Sequence, residues 1–111
     1  FRSPDPAANP YLVMALCLAA GLDGIKRGLT PKESVQKDIF TMTDSEREDA
    51  GITNLPKNLY EAVRHMRKST FMKEVLGEEV FTKYVNAKEE EWMEYTSQVT
   101  DWEINRYLDR I

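Results

Sequence analysis

The chain has a single cysteine and a single histidine among 111 residues, and these scarcities set aside several classes of function at once. With Cys17 alone no internal disulfide can form, which points to a reducing, cytoplasmic compartment. His65 has no second histidine or cysteine at ligand spacing, so nothing indicates a zinc or haem site. The E-x-x-H pairs that a di-iron carboxylate bundle needs are missing. No G-x-x-x-x-G-K-[ST] or G-x-G-x-x-G loop is present, so the chain holds no phosphate cradle of its own. There is no basic excess either: fifteen Lys and Arg against nineteen Asp and Glu leave a net charge of −4, which argues against a nucleic-acid partner. The apolar run from Tyr11 to Leu22 is too short to span a bilayer and lacks the positive flank of a signal peptide.

What is present is a polar, proline-punctuated opening joined to an apolar helix. Pro4, Pro6 and Pro10 each hold φ near −65° and bias the residue before them away from helix, so Arg2 and Asp5 sit on stiff, extended backbone. Asn9 is placed to cap a helix whose first residue is Pro10, where a missing N–H costs nothing. That helix is predicted from about Pro10 to about Lys26, closed by Gly24 and Gly28. Its apolar residues occupy nearly all angles around the axis, the pattern of a helix buried inside a larger body, and Cys17 reads as a small core residue within it. Leu29 to Met42 reads as a loop with Val35, Ile39 and Phe40 as apolar anchors, an arm laid over another surface. The chain opens at Phe1 inside what reads as a structured loop, so we expect a piece of a longer protein.

The remainder is helical by period. Thr43-Asp44-Ser45-Glu46 is a capping box that opens a short acidic helix stopped by Gly51. Asn58 to Glu61 repeats the arrangement, and Leu59, Ala62, Val63 and Met66 then fall on one helical face. Ser69 or Thr70 starts a brief turn through Phe71, Val75 and Leu76 to Gly77. A longer amphipathic helix, about Glu78 to Ser97, carries the stripe Phe81, Tyr84, Val85, the Lys88 stem, Trp92 and Tyr95. The capping box Thr100 to Glu103 opens a last helix with the face Ile104, Tyr107, Leu108 and Ile111. The isolated segment is therefore expected to be mainly α, with five to six helices. From spacing alone it contains no complete catalytic site, and Ser3 has no general base within sequence reach.

Arg2 is the one residue to single out, and it admits two readings. Its guanidinium ties the loop together through Asp5 or backbone carbonyls, or it forms a planar clamp for a carboxylate or phosphate. The stretch Arg2-Ser3-Pro4-Asp5-Pro6-Ala7-Ala8-Asn9-Pro10-Tyr11-Leu12, followed by Ala20-Gly21-Leu22-Asp23-Gly24-Ile25, resembles a motif of type I glutamine synthetases. Similar residues continue along the chain: Pro31, Asp38 to Phe40, Thr43 to Glu48, Gly51-Ile52, Leu55-Pro56, Leu76 to Glu78, Phe81, Lys83, Ala87-Lys88, Glu91-Trp92, Tyr95, Trp102-Glu103 and Arg106-Tyr107.

The resemblance implies that residues 1–111 are the C-terminal segment of an α+β catalytic domain, with 1–11 a substrate-binding loop, 12–97 a helical body and 98–111 an inter-subunit helix. It implies an ATP-dependent ligation of ammonia to L-glutamate through γ-glutamyl phosphate, with Mg2+ or Mn2+ and ATP bound by the parent and none of them by this segment alone. Arg2 would contact the glutamate. The family's metal-binding glutamate stands two places before that arginine, ahead of Phe1, so the metal role passes to no residue present. A cytoplasmic homo-oligomer of two stacked six-membered rings is implied, with the C-terminal helix of one subunit inserted into the opposite ring; the face Ile104, Tyr107, Leu108 and Ile111 fits that contact, and packing back on the chain's own long helix fits the pattern equally. Phe40 occupies the position where enteric members carry a tyrosine that can be adenylylated, and a phenyl ring offers no hydroxyl for that chemistry. The alternative reading is a free-standing all-helical interaction module without catalytic activity.

Overall fold

Side-chain oxygens start most of the helices of this chain. In the computed structural model, which describes residues 4–108, α1 (Pro10–Lys26), α2 (Asp44–Asp49), α3 (Leu59–Lys68), α4 (Thr70–Leu76), α5 (Glu78–Thr96) and α6 (Asp101–Tyr107) are the α-helices, and no strand occurs among the described residues. Asn9, Thr43, Asn58, Ser69 and Thr100 each accept an amide from the first turn that follows them. These amides have no partner inside a helix, so each cap satisfies a group that would otherwise need water. The capping boxes at Thr43 and Thr100 form as expected, with Glu46 and Glu103 returning to the threonine N–H. At α3 the return differs: Glu61 Oε2 accepts from Lys57 N–H rather than from Asn58. The mainly α expectation, with five to six helices, matches this architecture.

Chain reversals after α1 and α2 use the same device. Leu29 N–H reaches Gly24 C=O and Gly28 N–H reaches Ile25 C=O, and Ile52 N–H on Arg47 with Gly51 N–H on Glu48 repeats the pattern. The pattern needs a residue at positive φ just past the helix, supplied by Gly28 at 61° and Gly51 at 64°. Two segments are more regular than their sequences suggest. The expected loop from Leu29 to Met42 contains a 3-10 turn, Ile39–Thr41, capped by Asp38 through Phe40 N–H, and the expected brief turn before Gly77 is the two-turn helix α4.

The chain divides into two compact units, Phe1–Pro56 and Lys57–Ile111. In the second, α3 and α4 pack on α5, and Val63, Phe81 and Val85 form the buried cluster, flanked by Leu59, Met66, Met72 and Leu76. Two contacts pin α3 to α5 from outside the cluster: Tyr60 stacks on Trp92 with ring centroids 6.2 Å apart, and Arg67 makes a two-pronged pair with Glu89. The ion pair is half exposed and contributes at most about 1 kcal/mol, so it fixes register more than stability. Tyr95, expected in the buried stripe, is exposed, because that stripe outruns the ten-residue α3.

In the first unit no residue of α1 is buried, and Tyr11, Met14, Leu18, Leu22 and Ile25 are exposed along one face. Cys17 is exposed too: a helix apolar on all sides offers more faces than this chain by itself covers. Phe40, expected as an apolar anchor, is 97% exposed. The second-unit core is accordingly specific about its members. Phe81→Ala should lower the stability of the chain by about 3 kcal/mol, whereas Val80→Ala, at an exposed neighbouring position, should stay within about 0.5 kcal/mol. Denaturant unfolding followed by circular dichroism reads both, and coincident midpoints would contradict the core assignment.

Candidate functional site

The opening loop is built from two successive side-chain acceptors. Asp5 Oδ1 accepts the Ala7 N–H at 2.8 Å, and its carbonyl accepts the Ala8 N–H at 2.9 Å, which closes a turn with Pro6 at its second position. Asn9 Oδ1 then accepts from Tyr11 and Leu12 N–H at 3.0 and 3.3 Å, and its carbonyl takes the first helical bond from Val13. Asp5 thus serves its own turn, a use that the Asp5-Pro6 pair could have signalled. Arg2 itself lies outside the described residues, as does Ile111.

The other expected site residues, Ile104 and Tyr107 on α6 and Leu108 just after it, are exposed, at 41%, 52% and 65%. Within that helix Trp102 and Tyr107 meet edge to face and Arg106 lies over the Trp102 ring. A feature that periodicity did not reveal is a shallow groove between α3 and α5, lined by Tyr60, Val63, Arg64, Glu89, Trp92 and Met93. Arg64 stands 5.6 Å from the Tyr60 ring centroid at its edge. The residues come from two helices far apart in sequence, so only packing brings them together.

Among the described residues no group of three His, Cys, Asp or Glu side chains could hold a metal ion, so these residues do not fit a divalent-cation site. No described helix is long and apolar enough to cross a membrane.

The profile of the family described as glutamine synthetase, catalytic domain, matches residues 1–107. This chain belongs to that family. It is 50% identical over 109 residues to the glutamine synthetase of Clostridium saccharobutylicum, covering 98% of this chain and 25% of that protein. It is 52% identical over 110 residues to that of Methanosarcina mazei, covering 99% and 25%. A solved structure described as apo GmaS without ligand superposes with a TM-score of 0.78 at 38% identity, over 96% of this chain and 24% of its own. The chain therefore spans about a quarter of the length of the relatives it matches. Membership over nearly the whole chain favours a glutamine synthetase segment over a free-standing interaction module.

Two capping glutamates are shifted from their ordinary value. The backbone N–H of Thr43 and then its hydroxyl hold Glu46 below the ordinary 4.5, and Thr100 does the same for Glu103. The folded form favours the carboxylate, so this contribution is present above pH 4.5 and lost as pH falls through the lowered values. A hydrogen bond to Glu91 raises Lys88, whose contribution is present below pH 10.5 and lost above it. Helicity of the chain should fall on acidification below pH 4.5, and the paired change Glu46→Gln and Glu103→Gln should shrink that step while keeping helix at neutral pH. An unaltered acid step in the circular dichroism of the double variant would contradict it.

Proposed function

We propose that this chain is the C-terminal segment of a glutamate–ammonia ligase and that its opening loop holds the glutamate. The observation that carries the reading is the family match over residues 1–107, which includes the Arg2 to Leu12 motif. The chemistry of the motif supports it: a guanidinium is the natural partner of a planar carboxylate, and the stretch that follows it in sequence is fixed to the start of α1 by the Asp5 and Asn9 side chains.

In the proposed reaction the glutamate γ-carboxylate attacks the γ-phosphoryl group of ATP, releasing ADP and forming γ-glutamyl phosphate. Ammonia then displaces phosphate and loses a proton to give glutamine. Arg2 contributes binding and charge neutralisation at the glutamate, because a fixed cation needs no reorganisation as the reaction proceeds. The divalent cation that such a phosphoryl transfer uses would take its ligands from elsewhere in the parent.

The parent is also proposed to be a homo-oligomer of two stacked hexameric rings in the cytoplasm, with the C-terminal helix at a subunit contact. Support comes from the exposed face of Ile104, Tyr107 and Leu108, which leaves apolar surface for another surface to cover. In the full-length parent, Leu108→Asp should weaken that contact, seen as smaller species in sedimentation. An intact double ring would remove the role assigned to α6.

Two measurements test the activity. The 111-residue chain alone should form no γ-glutamyl hydroxamate, and formation would overturn its reading as a partial site. Arg2→Ala in the parent should lower kcat/KM for glutamate by about a hundredfold, the order of one lost transition-state contact, with little change in melting temperature. Normal turnover with lost stability would instead make Arg2 a structural residue.

A further inference from the structure

We draw no further inference here: the strongest candidate, the shallow groove between α3 and α5 where Arg64 stands by the Tyr60 ring beside Trp92 and Met93, is an unpartnered apolar face, and nothing in the structure shows what covers it in a chain that spans a quarter of its relatives' length.

Discussion

Where α3 meets α5, Val85 is 2% exposed, and most of the tertiary order of the second unit depends on that contact. Val63 from α3 and Phe81 from the first turns of α5 close around it, with Met72 and Leu76 of α4 packed alongside. The capped starts of α3 and α4 set where each helix begins, but an isolated helix of ten or seven residues is marginal in water. Burial against α5 converts these local preferences into structure. The Tyr60 stack on Trp92 and the Arg67 pair with Glu89 then hold one alignment of the two helices.

The first unit is organised differently, by hydrogen bonds more than by burial. Arg47 donates from Nε and Nη2 to the Met42 carbonyl, Lys32 donates to the Gly51 carbonyl, and Asp38 caps the 3-10 turn. These bonds hold a segment with one buried apolar side chain, Met42, among residues that are otherwise largely exposed. The apolar face of α1 and the face of α6 remain uncovered in the chain itself. Such surface is more than a soluble monomer ordinarily leaves open, in keeping with a chain that spans a quarter of its relatives' length.

The proposed function follows the same division. The opening loop needs no core, because prolines and two side-chain acceptors set its backbone. The α3–α5 groove shows the opposite case, since Tyr60, Arg64, Trp92 and Met93 are neighbours only through tertiary contact.

Much of this was legible before any coordinates. The caps at Asn9, Thr43, Asn58 and Thr100 and the apolar face of α3 are short-range features, settled by groups within four residues of one another, and they stand where the sequence put them. The opening motif was legible for the same reason, and it carried the family assignment. What the sequence could not decide was which of several apolar faces would be covered. Tyr95 was read into the apolar stripe of α5 and is exposed, while Val63, Phe81 and Val85 are buried. Periodicity states that a face is apolar, but burial is a pairwise property that requires a second surface at the right distance. The tertiary structure alone supplies that surface, for α5 with α3 and α4.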